Sequence, residues 1–407
     1  MDFTSVAASA ILALTYLGVA VGRFPGLRLD RAGIALLGAA AMIGVGAISL
    51  EDAFRAIDLN TITLLLGMMI VVAHLEASGA FRALGRLAID HAHAPLVLLA
   101  TVTLMAGVLS AFLVNDAVCL AMTPMVLAVT RAIKRNPLPF LIATATGSNC
   151  GSVATITGNP QNMVIGALSG IPYVRFAATL APVAAFSLAA VVIIVRLAYR
   201  AEFAGRREIS PHVPPGRMHM GQVVKASFVC LALAVAFFAG VAPAKAALFG
   251  GAFLLLTRSV KPTRIYRKID GPLLILFAGL FVVVAGAERA LLTPELTAMA
   301  RDAGLDSVAR LSASTAVLSN LVSNVPAVLA LRPFIGALSD PHRAWLTVAM
   351  SSTLAGNFTL LGSVANLIVA EQARKADAPI GFWDYFKVGL PLTLLTLGAG
   401  TAWLAVG

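Results

Sequence analysis

Charge is the scarcest thing in this sequence. Only 12% of its 407 residues are Asp, Glu, Lys or Arg, while 59% are hydrophobic, and the mean hydropathy is +0.90. A soluble domain carries roughly 25% charged residues, so the scarcity argues against a water-soluble fold and for a polytopic membrane protein. Cysteine is almost as rare. Cys119, Cys150 and Cys230 all lie in apolar segments without Cys-x-x-Cys spacing, which argues against a disulfide framework or a structural zinc site. Also missing are a Gly-x-x-x-x-Gly-Lys-Ser/Thr phosphate loop, a His-Glu-x-x-His pair, paired intramembrane aspartates and a Gly-x-Ser-x-Gly elbow. Those absences disfavour primary transport encoded in this chain and a membrane-embedded hydrolase; no cofactor and no metal are expected. No basic residue precedes the first apolar run, Phe3 to Val21, which is longer than a signal peptide needs and reads as a retained transmembrane helix.

What charge there is has a pattern. The net +11 is spread over short loops between apolar runs, as membrane topology demands and a nucleic-acid footprint does not. The bilayer is therefore an expected partner and nucleic acid is not. Apolar spans fall at about 4–21, 32–49 and 60–74, and the segment Ala77–His93 has the spacing of an interfacial amphipathic helix. Two short apolar arms (95–131) then surround Ser110–Asp116. An apolar but Gly- and Asn-rich span (138–168) and a long span (172–194) complete the first half. Between Arg196 and Lys225 come Arg200, Arg206, Arg207 and Arg217 with prolines, which makes a polar linker.

The second half repeats the first. Spans near 223–241, 244–257 and 272–287 precede two arms around Asn320–Pro326, a polar stretch Ser352–Ile368 and a final span, 385–406. Asp58 answers Asp270, Asn115 answers Asn324, Asn149 answers Asn357, and Asn162 answers Asn366, at separations of 212, 209, 208 and 204 residues. So steady an offset indicates an internal duplication. The expected organisation is a first repeat over 1–195 (hairpin 95–131, broken helix 138–168), a cytoplasmic linker over 196–221, and a second repeat over 222–407 (hairpin 307–338, broken helix 344–370). Placing the N-terminus outside puts most of the 30 Lys and Arg inside, including the linker and the clusters Arg131/Lys134/Arg135 and Arg258–Lys268. Five crossings per half then make the repeats inverted, with both termini on the outer face of the cell (inner) membrane. The fold class expected is an all-α polytopic membrane protein: two inverted repeats of five transmembrane helices plus one re-entrant hairpin each, with broken helices at the midplane.

Four polar clusters should converge. In hydrocarbon an unpaired backbone group costs several kcal/mol, so irregular polar backbone survives only where protein buries it or it lines a cavity. Helix ends exposed there attract oxygens at their N-termini and cations at their carbonyls. The candidate solute-binding residues are Asn115 at the first tip, then Ser148, Asn149, Thr157, Asn159 and Asn162 at the first break. Ser323 and Asn324 at the second tip join Thr353, Gly356, Asn357, Ser363 and Asn366 at the second break. Asn offers both donor and acceptor to a hydroxylated solute. Gly147, Gly151, Gly158, Pro160 and Gly362 are the expected backbone breaks. Asp58 and Asp270 read as helix-start caps, Glu371 as a buried partner or an interfacial residue, and Cys119 and Cys150, which flank the site, either as thiols for arsenic or, at least as readily, as small apolar residues.

The motifs SAFLVNDAVCLAMTP, GSNCGSVATITGNPQN, SNLVSNVPAVL and STLAGNFTLLGSVANLIVAE resemble the ion transporter superfamily, most closely the arsenite permease branch and the anion or citrate permeases. The resemblance covers nearly the whole chain. It implies an inverted-repeat fold with two hairpins, a scaffold part and a moving transport part, and elevator-like alternating access. In the dicarboxylate symporters of that superfamily a Ser-Asn-Thr motif at each tip binds carboxylate and helps form sodium sites. Here the tips read Val114-Asn115-Asp116 and Ser323-Asn324-Val325, which argues against both. Asp116 is the expected ion-coupling residue, because a carboxylate at membrane depth is expensive and desolvation disfavours its charged form. No Lys or Arg lies within the four clusters, and Asp116 would repel a dianion by about 1–4 kcal/mol per charge pair. The expected function is therefore secondary transport of a small inorganic or organic solute coupled to protons or sodium. The first choice is export of arsenous or antimonous acid in exchange for protons; the alternative is a small-anion permease for dicarboxylate, citrate or sulfate. A homodimer and a separate soluble ATPase subunit are both compatible with this reading.

Overall fold

The computed structural model describes residues 3–22, 28–81, 83–84, 94–204, 220–256, 260–291 and 304–406. Among these the chain is helical, with no strand. The first half holds α1 (Phe3–Val21), α2 (Arg31–Gly44), α3 (Leu50–Ala56), α4 (Leu59–Ser78), α5 (Pro95–Phe112), α6 (Asn115–Ala132), α7 (Leu138–Ser152), α8 (Pro160–Ser169) and α9 (Tyr173–Ala198). The second half holds α10 (Met220–Phe238), α11 (Pro243–Leu255), α12 (Pro262–Tyr266), α13 (Gly271–Leu291), α14 (Val308–Val322), α15 (Asn324–Ile335), α16 (Pro341–Ala355), α17 (Val364–Lys375) and α18 (Phe382–Val406). Each helix of the first half has its counterpart nine places later. Seven of them are long and apolar enough to cross a membrane. Most of the proposed amphipathic segment Ala77–His93, much of the linker, and Arg258 and Ser259 lie outside the described residues.

Local chemistry sets the helix starts. Asp58 accepts from the Thr61 amide at 2.6 Å to start α4, and Asp270 accepts from the Leu273 amide at 3.0 Å to start α13, so both aspartates are caps. The two halves then exchange helices. α2 packs on α13, and its counterpart α11 packs on α4. Small residues allow both approaches. A Cβ added to Gly67 of α4 would lie 2.6 Å from the Ala247 carbonyl, and one added to Gly279 of α13 would lie 2.7 Å from the Ala35 carbonyl carbon. Backbone contact of this kind is how membrane helices gain van der Waals energy without a hydrophobic drive.

Two bodies result. α1–α4 and α10–α13 pack chiefly among themselves, as do α5–α9 and α14–α18. The bodies meet where α4 touches α6 and α8, where α13 touches α15, where α1 touches α14 and where α9 touches α10. Within the second body α5 and α6 form one hairpin, α14 and α15 the other, and α9 packs on α18. Gly147 and Gly151, expected as breaks, lie inside α7 instead. Their lack of a side chain serves close packing on α5: a Cβ on Gly151 would meet Gly107 Cα at 2.2 Å, and one on Gly147 would meet Thr103 at 3.2 Å. Nothing in the sequence distinguishes a glycine that ends a helix from one that admits a neighbour.

Candidate functional site

The interruptions between α7 and α8 and between α16 and α17 follow one hydrogen-bond plan. Asn162 donates to the carbonyls of Ser152 (3.1 Å) and Thr155 (2.9 Å); Asn366 donates to those of Gly356 (2.8 Å) and Thr359 (3.2 Å). Every partner is shifted by the 204 residues that separate the two asparagines. Gly362 is therefore the counterpart of Gly158, Gly356 stands where the first half has Ser152, and Asn149 answers Thr353 rather than Asn357. The correspondence expected for Asn149 was one helical turn off, because Asn357 matches it in residue type but not in register.

Asn149 is the hub where the halves join. Its amide nitrogen donates to Asn357 Oδ1 (2.9 Å) and Asn366 Oδ1 (3.1 Å), while its Oδ1 accepts from Asn115 Nδ2 (3.0 Å) and Ser363 Oγ (3.2 Å). Thr353 plays the reciprocal part, with Oγ1 accepting from Asn159 Nδ2 (3.2 Å) and Gln161 Nε2 (3.0 Å). Other predicted residues hold the frame. Ser148 shares a 2.8 Å hydrogen bond with Ser110 and donates to the Asn115 carbonyl, propping the first tip. Thr157 bonds the Tyr173 hydroxyl at 2.8 Å. Asn159 caps α8 through the Asn162 amide, and Pro160 takes the first helical position, where a missing N–H costs nothing. Among the described residues the Asn115 and Asn162 side-chain oxygens have no partner, and the remaining paired groups hold the arrangement of the two interrupted helices.

Beside the hub the N-termini of α6, α8, α15 and α17 face a cavity of about 60 Å³. Asn115, Asp116, Pro160, Ser323, Asn324 and Ser363, all singled out from the sequence, line it together with Gln161. Each N-terminus carries roughly half a positive charge, so the walls favour oxygen atoms. Asn115 is 3% exposed and its Oδ1 has no partner among the described residues. Glu371 lies away from this cavity, on the exposed surface, paired with Arg374 and Lys375. One lining residue was not foreseen. Arg31, the first residue of α2, reaches the same cavity as Asp116. The four clusters do lack basic residues, but the folded site does not: Arg31 lines it together with Asp116. In the sequence Arg31 has only the signature of a topology residue at the end of an apolar run.

Two inverted halves, two hairpins and two interrupted helices around one polar cavity define a polytopic secondary transporter. The family model for citrate transporters matches residues 16–355, and the chain belongs to that family. It is 30% identical to a silicon efflux transporter of Oryza sativa subsp. japonica over 92% of each chain. It is 24% identical to the putative transporter arsB of Dictyostelium discoideum, covering 92% of this chain and 87% of that one. The crystal structure of the YdaH transporter of Alcanivorax borkumensis shares the fold, with a TM-score of 0.62 at 15% identity over 100% of this chain and 98% of the other.

Proposed function

We propose that this chain is a proton-coupled secondary transporter for small neutral metalloid hydroxides such as arsenous or antimonous acid. The observation that carries the proposal is Asp116, a carboxylate without an ion pair or hydrogen bond among the described residues, at the wall of a cavity of about 60 Å³. Such a carboxylate can carry the coupling proton without leaving the solute site. A water needs about 10–15 Å³ of such volume, so the cavity suits a solute of only a few heavy atoms. A metalloid hydroxide meets that limit; citrate is several times larger. The names of the rice and Dictyostelium relatives, silicon efflux and arsB, lie on the same side. In the cycle we propose, the body of α5–α9 and α14–α18 moves against the other in the manner of an elevator. The repeats span 1–195 and 222–407, with the linker 196–221 in the cytoplasm and both termini outside. Cysteines at Gly205 and Ala303 in a cysteine-free background should label from opposite sides.

A second reading has its own observation. Arg31 and four helix N-termini surround the cavity, which favours a small anion once Asp116 is neutral. Proteoliposomes with an imposed pH gradient separate the two. Arsenite should exchange with a half-maximal concentration far below that of succinate or citrate. Competition by citrate and none by arsenite would put the anion permease first.

A further inference from the structure

We propose that Arg31 is the specificity-determining residue of this site, and that the solute it selects is an oxyacid bearing at least one hydroxyl, held between Arg31 and Asp116. The inference rests on the transport reading above and narrows it. Neither Arg31 nor Asp116 has a hydrogen bond or ion pair among the described residues, yet both line the one cavity of about 60 Å³. Their hydrogen-bonding needs are opposite. A guanidinium offers five N–H donors and no acceptor, whereas an ionised carboxylate only accepts. A solute that fills the space between them and satisfies both must itself accept and donate. A hydroxide of arsenic, antimony or silicon does so, placing one oxygen against Arg31 and one X–O–H against Asp116. A fully ionised anion such as sulfate has no proton to give Asp116, and sodium has nothing to give Arg31.

The two residues also belong to different bodies. Arg31 begins α2, which packs on α1 and α13, while Asp116 lies in the first turn of α6, in the body with the hairpins. A solute bridging them links the bodies, and their relative movement breaks the bridge. Arg31 therefore acts on one stage of the cycle, where it sets both affinity and choice of solute.

The test uses the full chain in proteoliposomes, with arsenite counterflow as readout and orthosilicic acid and sulfate as competitors. In the wild type orthosilicic acid should compete and sulfate should not. Arg31→Gln should raise the half-maximal arsenite concentration roughly 10- to 100-fold, the worth of a charge-assisted hydrogen bond, with a smaller change in the maximal rate. Arg31→Lys keeps the charge without the fork and should fall between. The double variant Arg31→Gln/Asp116→Asn should be no worse than the poorer single, because both residues hold the same bridging solute and losing either breaks the bridge. Melting temperatures of the variants separate loss of recognition from loss of fold. A wild-type half-maximal concentration in a folded Arg31→Gln protein overturns this assignment alone. A wild type that carries sulfate or citrate but no hydroxide overturns the reading beneath it, and this proposal with it.

Discussion

The two interruptions share one hydrogen-bond plan, yet only the first is sealed. Residues 151–163 are buried without exception. In the second interruption Phe358, Thr359 and Leu360 are half-buried, Leu361 is 71% exposed and Val364 is 40% exposed. The tips differ in the same sense. The Asn115 amide donates to the Gly158 carbonyl at 3.0 Å, and no corresponding bond ties Asn324 to Gly362 among the described residues. Val114 at the first tip has an ordinary φ of −58°, but Ser323 at the second sits at φ 77°, ψ 161°. α8 is packed against α4, whereas α17 has no comparable contact with α13. Equivalent halves in unequal surroundings are what alternating access requires of a single state. Here the first half-site is locked and the second is loose.

The sharpest way to break that comparison is at the glycines. A Cβ on Gly158 would stand 2.1 Å from the Ser152 carbonyl oxygen, where backbone must yield, so Gly158→Val should cost more than about 3 kcal/mol and abolish a folded, active protein. At Gly362, its counterpart, the nearest atom is the Gly356 carbonyl oxygen at 2.8 Å, so Gly362→Val should cost less, about 1–3 kcal/mol, and keep part of the activity. Thermal stability in detergent together with arsenite counterflow checks both, and equal losses would erase the distinction.

Next in size is Asp116, whose place in the second half is taken by Val325. Asp116→Asn keeps the shape and removes the titrating group. Transport driven by a pH gradient should disappear, while residual exchange persists and becomes nearly independent of pH. Gradient-driven transport at the normal rate would reduce Asp116 to a structural role.

A smaller effect tests the strain. Non-glycine residues in the region that Ser323 occupies cost about 1–3 kcal/mol. Ser323→Gly should therefore raise the melting temperature by a few degrees, whereas Val114→Gly should lower it. A Ser323→Gly protein less stable than the parent would show that its side chain matters more than its backbone.

The smallest effect lies at the periphery. Hydrogen bonds from Arg289 and then Ser49 hold the Asp52 carboxyl well below the usual carboxylate range, at about 2. A depressed value stabilises the fold above the ordinary carboxylate range and loses that contribution as pH falls toward 2. The group lies at the surface, where solvent screens the pair, so the loss is slight. Stability should be flat from pH 7 to pH 5, and Arg289→Ala should matter only there and not at pH 2.

The places where sequence reasoning succeeded and failed follow from what each residue does. The hairpins, both interruptions and the caps at Asp58 and Asp270 were legible, because polar residues inside an apolar run have few uses. The register of Asn149 was not, since an alignment by residue type cannot see which turn of the helix faces the partner. Gly147 and Gly151 were misread for a related reason: their meaning lies in α5, far away in the chain. Arg31 and Gln161 escaped notice because only folding carries them to the cavity.

The helix exchange between halves also sets a schedule for biosynthesis. Gly67 waits for Ala247, which the ribosome adds 180 residues later. At about 5–20 residues per second that is roughly 10 to 40 s during which α4 stands in the bilayer without its partner. Half a chain released at the linker could not supply it. The second half must be inserted before the first can finish folding, so a quality-control protease has a window in which every newly made copy looks incomplete.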